Sequence, residues 1–208
     1  LLYATVRRAG DKLRVEGRLF EILTGTTMFN IQFEESERWR RALAHHLSDE
    51  VVEALTGKRG VATSQIAFAG ITQPTGDTVK EIYVMDYDGH EERAVTRHGS
   101  ISILPRISPD GNSIAYLSYK DRYPFLYVVN MLTGRSRPLS EEAGMNVSPA
   151  WSPDGKRLAV ALSRDANAEI YLINADGSGR TRLTKDRAVD TSPCFSPDGT
   201  RIAFVSDR

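Results

Sequence analysis

The stretch PAWSPDGKRLAVALS, residues 149–163, decides the fold. It joins a proline-bearing turn to an apolar run, and it recurs as PRISPDGNSIAYLSY from Pro105 and as PCFSPDGTRIAFVSD from Pro193. The three S-P-D-G units begin at Ser108, Ser152 and Ser196, 44 residues apart each time, and a fixed period of this size marks a repeat architecture. Within the unit, proline presets φ near −65° for the first central turn position and glycine takes the positive φ that closes the reversal. One strand therefore ends at Trp151 and another starts near Arg157. In the second strand Leu158, Val160 and Leu162 alternate with Ala159 and Ala161, so both faces are apolar, as in a sheet covered above and below. EIYLINA reads as a third strand, DGSG as a turn and TRLT as a fourth strand. Four short strands per repeat without a helical period fit the blade of an antiparallel propeller.

The repeat before these is altered. QIAFAG aligns with SIAYLS at an offset of 48, whereas EIYVMDYDG aligns with EIYLINADG at 88, two whole periods, so the loop ITQPTGDTVK (71–80) is expected to be four residues longer. Nothing ahead of Gln65 resembles the P-x-[WF]-S-P-D-G unit, and the first blade is expected to lack its innermost strand. In closed propellers a strand from the far end of the chain commonly fills such a gap and removes the open edge. From residue 60 onward the length accounts for roughly three and a third blades at about 40–45 residues each, and FVSDR stops halfway through one. The sequence reads as a fragment of a longer protein.

Residues 1–57 differ in kind. Three strands with turns at AGDK and TGT are expected, Phe29, Ile31 and Phe33 sharing one face. A helix should follow, capped by Ser36, carrying Trp39, Leu43, Leu47, Val51 and Leu55 as an apolar stripe and ended by Gly57. This reads as the C-terminal part of a small α/β domain, with 58–64 as linker and 65–208 as propeller. The fold class is thus an α+β remnant followed by an all-β, partial propeller of four-stranded antiparallel blades.

Composition narrows the function. Of the 208 residues 40% are hydrophobic and 26% charged, and 27 basic residues balance 27 acidic ones, without the basic excess of a general nucleic-acid binder. No run of eighteen apolar residues is present. The one cysteine, Cys194, is the counterpart of Ala150 and is expected to be a small buried filler. No G-x-S-x-G, H-E-x-x-H or phosphate-loop motif occurs, so neither catalytic residues nor a cofactor or metal site are expected. His45 and His46 stand four residues before Asp49 and Glu50 and read as solvated helix pairs. NADGSG places Asn174, Asp176, Ser178 and Gly179 as in a calcium loop, but Lys185 stands where the bidentate glutamate is needed, which leaves a hairpin turn. Asp110, Asp154 and Asp198 occupy equivalent turns of different blades and read as turn residues. The sequon Asn146-Val147-Ser148 is a short pattern of little weight.

The candidate surface comes from geometry. Segments leading from the outer strand of one blade to the inner strand of the next lie at the mouth of a propeller channel. Here they are RHGSISILP, EEAGMNVSP and DRAVDTSP, which vary while the SPDG core does not, as loops carrying specificity on a fixed scaffold would. Variable loops without any partner are the bland alternative.

LSDEVVEALTGKRGVATSQIAFAG, the blade SPAWSPDGKRLAVALSRDANAEIYLINADGSGRTRLT, the closing SPDGTRIAFVSDR and the RVEGRLFEILTG strand together resemble the TolB family, the periplasmic component of the Tol-Pal envelope system. The resemblance runs through the whole chain. It implies a non-enzymatic six-bladed propeller behind an α/β domain, which binds the lipoprotein Pal at the channel mouth and contributes to outer-membrane integrity and constriction at division. It also implies engagement of TolA through an N-terminal segment absent here, and use of the Pal site by nuclease colicins. By position, the residues facing Pal would be Met145, Asn146 and Ser148 before the third blade, Asp190, Thr191 and Ser192 before the fourth, and Ser102 and Leu104 before the second. The family often has a histidine where Met145 stands. Two other classes share the repeat: the propeller of a prolyl-oligopeptidase-like serine peptidase whose catalytic domain lies elsewhere, and a free-standing propeller that binds a small molecule in its channel.

Overall fold

A computed structural model describes residues 1–73, 78–142, 144–164 and 167–208, and these fall into two compact units. The first comprises Leu1–Gln65 with Asp86–His90. Strands β1 (Leu2–Ala9), β2 (Lys12–Phe20) and β3 (Thr27–Ser36) form an antiparallel sheet in that order, followed by a 3-10 turn (Glu37–Trp39) and helix α1 (Arg40–Thr56). Val15 and Leu19 of β2 are buried on either side of Gly17. A Cβ at Gly17 would stand 2.7 Å from Leu47 Cδ1, so the missing side chain is what lets the helix lie on the sheet. Gly57 ends the helix at φ 69°, its N–H donating to Glu53 O at 2.8 Å.

Three helix details differ from the sequence reading. Ser36 makes no side-chain cap, because β3 runs straight into the 3-10 turn and α1 starts after Trp39. Of the expected stripe only Leu43 is fully buried, Leu47 and Val51 are half-buried, and Trp39 and Leu55 are exposed. Asp49 is no solvated partner of His45. It is 7% exposed and accepts hydrogen bonds from the Ala62 and Thr63 N–H groups (2.7 and 2.9 Å) and from Thr63 Oγ1 (2.5 Å), fastening the segment after the helix. Burial alone would raise its pKa; the donors from Thr63 and Ala62 and the charge of Arg59 outweigh that and hold it below the ordinary value. His45 faces Asp88 at 3.2 Å instead.

The second unit, Ile66–Met85 with Glu91–Arg208, holds four antiparallel sheets. The first has β4 (Gln65–Gln73), β5 (Val79–Asp86) and β6 (Arg93–Ala94), three strands with β4 as an edge. Residues 71–73 and 79–80, expected in a loop, extend β4 and β5; the remainder of the expected insertion, 74–77, lies outside the described residues. The second has β7 (Ser102–Ile107), β8 (Ser113–Ser118), β9 (Phe125–Asn130) and β10 (Ser136–Ser140). The third has β11 (Asn146–Trp151), β12 (Arg157–Leu162), β13 (Glu169–Asn174) and β14 (Thr181–Arg182), and the fourth β15 (Asp190–Phe195) with β16 (Ile202–Ser206).

Strand parity assigns the cores. On β8 and β9, Ala115, Leu117, Leu126 and Val128 pack with Leu158, Val160, Leu162, Tyr171 and Ile173 of the third sheet. Their alternating neighbours Ile114, Tyr116, Tyr127 and Val129 pack with Ile82 and Val84 of the first and with Val95 just after β6. A central strand is therefore apolar on both faces because each face meets a different sheet. Each fully buried aliphatic contributes about 2 kcal/mol.

Candidate functional site: the inner-strand face

The SPDG turns carry the inner strands, and all three are built alike. Ser152 Oγ donates to Asp154 Oδ1 (2.6 Å) and accepts from Arg157 N (3.0 Å), while Lys156 N donates to Asp154 Oδ1 (3.0 Å); Ser108 with Asp110 and Ser196 with Asp198 repeat the pattern. Donation by serine first, then by the backbone amide, holds each aspartate pKa below its ordinary value. These carboxylates are consumed in their turns. Asp176 is likewise taken up by Ser178 N and Oγ at 2.9 and 2.7 Å. Among the described residues no three His, Cys, Asp or Glu side chains gather as metal ligands.

Upstream of each turn the inner strand breaks register, between Ile103 and Arg106, Val147 and Ala150, and Thr191 and Cys194. At these bulges Leu104, Ser148 and Ser192 have φ of 57°, 56° and 52°, and a proline follows each. Proline has no N–H to give a ladder, and an edge-strand bulge is a place where none is required.

The eight expected partner-facing residues divide by column. Ser102, Asn146 and Asp190 are fully buried, contrary to an outward role. Ser102 Oγ pairs with Ser118 Oγ at 3.0 Å. Asn146 accepts from Ser140 Oγ (2.9 Å) and donates to Glu142 O and Gly144 O (2.8 and 3.1 Å); Asp190 accepts from Arg208 Nη2 at 2.9 Å. They face inward because each opens its inner strand directly opposite the second strand, where a polar residue is tied down to set the register. Burial also closes the Asn146 sequon in the folded chain. Thr191 is half-buried, in the column where Ile103 and Val147 pack against the core. Met145 and Leu104 are exposed (40% and 42%), Ser192 is exposed and Ser148 half-exposed. Ala143, in the expected loop before the third sheet, lies outside the described residues.

Ser148 and Ser192 border an open cleft of about 570 Å³ that also takes in Arg106, Ala150, Trp151, Cys194 and Phe195. Trp151 Nε1 donates to Arg106 O at 2.9 Å and so ties neighbouring inner strands together. Cys194 is exposed, not a buried filler, and lines the same cleft as its counterparts Arg106 and Ala150.

Sequence reasoning missed the buried glutamates. Glu169 accepts from Arg182 Nη2 (2.7 Å), Thr184 Oγ1 (2.5 Å) and Asp186 N (3.1 Å); Glu81, its counterpart two repeats earlier, accepts from Thr96 Oγ1 (2.5 Å), His98 N (2.5 Å) and Gly99 N (2.8 Å). The signal was the shared E-I-Y at both third strands, a charge where an apolar residue is the rule.

Equally spaced antiparallel sheets that pack face to face, two of them four-stranded, with variable segments leading into bulged inner strands, define a β-propeller protein. The TolB beta propeller domain family matches residues 52–208, more than half of the chain. The chain belongs to the TolB β-propeller family. It is 37% identical over 132 residues to a protein TolB homolog of Chlorobium chlorochromatii, covering 64% of this chain and 29% of that protein. It is 36% identical over 133 residues to the Tol-Pal system protein TolB of Roseobacter denitrificans, covering 63% and 30%. The crystal structure of TolB from Acinetobacter baumannii superimposes with a TM-score of 0.84 at 28% identity over 100% of this chain and 52% of that one. The chain thus spans about a third of these curated relatives and about half of that solved chain. A prolyl endopeptidase structure shares the fold alone, with a TM-score of 0.53 at 14% identity over 85% of this chain and 34% of that one. Among the described residues no helix is long and apolar enough to cross a membrane.

Proposed function

We propose that this chain is the propeller-bearing part of a non-enzymatic, periplasmic protein-binding scaffold of the Tol-Pal system. It serves outer-membrane integrity and constriction at division and takes Pal at the channel mouth; TolA is engaged by a segment outside these 208 residues. The observation that carries the reading is the threefold bulge, which sets Leu104, Ser148 and Ser192 at equivalent places on neighbouring sheets, the two serines beside an open cleft. The resemblance placed eight residues at the Pal contact. Burial shifts the proposal to Leu104, Met145, Ser148 and Ser192, with Thr191 at its margin and Ser102, Asn146 and Asp190 as supports.

The test is capture of the soluble domain of Pal by the full-length protein that contains this chain. Leu104→Asp, Met145→Glu and Ser192→Asp should each lower capture by about tenfold, as truncation of a central contact does. Aspartate tolerates a left-handed backbone, so the bulges survive, and unchanged melting curves would verify it. Full capture by all three variants would remove this face from the Pal contact.

A further inference from the structure

Residues 119–125, YKDRYPF, connect β8 to β9 at the end of the second sheet where Ser102 pairs with Ser118. Tyr119 N donates to Ile101 O at 2.9 Å, so the loop shares that end with the segment entering β7. Its base is fixed. Tyr127, 1% exposed, donates its hydroxyl to Asp121 Oδ2 at 2.5 Å and lies with its ring 4.1 Å beneath Lys120 Nζ. Those contacts occupy Lys120 and Asp121 and leave three side chains at the tip. Tyr119 is 39% exposed and Tyr123 65%. Arg122 is exposed, and among the described residues nothing pairs with its guanidinium. It is also held at φ 72°, where L side chains are disfavoured, in a turn closed by its own N–H to Tyr119 O at 2.9 Å. The corresponding loop of the third sheet has the same length in the sequence but reads SRDANAE, so the repeat itself does not require the aromatic rings or the arginine.

We infer that Tyr119, Arg122 and Tyr123 form a contact surface for an acidic, aromatic-bearing segment of a protein partner. Exposed tyrosines offer large apolar area at small cost in side-chain entropy, and a guanidinium fork matches a carboxylate in two parallel hydrogen bonds. The Arg122 guanidinium selects the partner: it is an exposed charge at the tip without a counter-ion among the described residues, whereas Lys120 lies over the Tyr127 ring and Asp121 accepts from the Tyr127 hydroxyl. A loop anchored at its base loses little freedom on binding.

The test titrates the full-length protein containing this chain into fluorescein-labelled poly(Glu,Tyr) at low salt, with poly(Lys,Tyr) as the opposite charge. The wild type should bind the acidic copolymer only, and Arg122→Glu and Tyr123→Ala should each weaken binding about tenfold. Arg122→Gly suits the positive φ and preserves the turn; it too should weaken binding about tenfold, whereas a purely structural arginine would leave this variant unaffected. Failure of the wild type to bind, or equal binding by the three variants, overturns the inference. So does an Arg122-dependent interaction found only with vesicles containing phosphatidylglycerol, which would make the surface a lipid site.

Discussion

Replacing Glu169 by alanine should free the outer edge of the third sheet. The carboxylate is fully buried at the start of β13 and receives the Arg182 guanidinium, the Thr184 hydroxyl and the Asp186 amide, while Thr184 Oγ1 itself accepts from Ile170 N at 2.9 Å. Two neutral donors lose about 1 kcal/mol each and a charge-assisted one about 1.5–3 kcal/mol. The Arg182 side chain is 24% exposed and regains water, which discounts its share, so the net cost is about 2–3 kcal/mol. Global unfolding of a repeat array blurs such a local loss, so the assay is amide hydrogen exchange, which reads the opening of one segment. At about 1.4 kcal/mol per factor of ten, the Asp186 amide should exchange roughly 30- to 150-fold faster. Glu169→Gln, which keeps an acceptor for Thr184, should show a smaller rise. Glu81→Ala is the internal control: it should release the His98 and Gly99 amides and leave Asp186 protected. Exchange at Asp186 within about threefold of wild type in Glu169→Ala would refute the clamp.

Two further outcomes follow from the repeat geometry. Ser148 at φ 56° precedes Pro149, so Ser148→Gly should alter urea stability by less than about 0.5 kcal/mol, whereas Ser148→Val, stiff at Cβ, should cost about 1–2 kcal/mol. Asp110, Asp154 and Asp198 are held below the ordinary carboxylate value of 3.8 by serine and amide donors. A folded pKa below the unfolded one gives stability that is complete above 3.8 and fades as pH falls through the folded value. Melting temperature should therefore drop below pH 3.8, and the Asp110→Asn, Asp154→Asn, Asp198→Asn triple variant should show a shallower drop across that window.

The parts of the fold that repeat were legible, and the parts that respond to tertiary context were not. The 44-residue spacing located every SPDG turn, and the alternation in RLAVALS announced a strand covered on both faces, since periodicity records which neighbour each residue meets. Column assignment on the inner strands was not legible: a bulge at 147–150 shifts the side-chain alternation, and nothing in NVSPAW reveals that Asn146 points inward while Ser148 turns left-handed. Cys194 was misread for the same reason, because a small residue beside a proline looks alike whether it faces a sheet or a cleft. Asp49 was misread because its partners, Ala62 and Thr63, lie beyond the helix and match no helical spacing.

The inner strands also determine how this face can recognise anything. An edge strand with regular pairing offers a row of free amides and carbonyls and invites another strand to join. Here Pro105, Pro149 and Pro193 remove one donor from each edge, and the left-handed residue before each proline breaks the pleat. Strand addition is blocked at all three positions, so a partner at this face must be read through side chains. The face supplies those in the residues that vary between repeats, Leu104, Ser148 and Ser192 at the bulges with Met145 beside them. β4 is the counterexample: an edge of its sheet with no proline from Gln65 to Gln73, it retains the backbone groups that a further strand would pair with. Two kinds of edge thus present two kinds of surface, and it is the prolines that separate them.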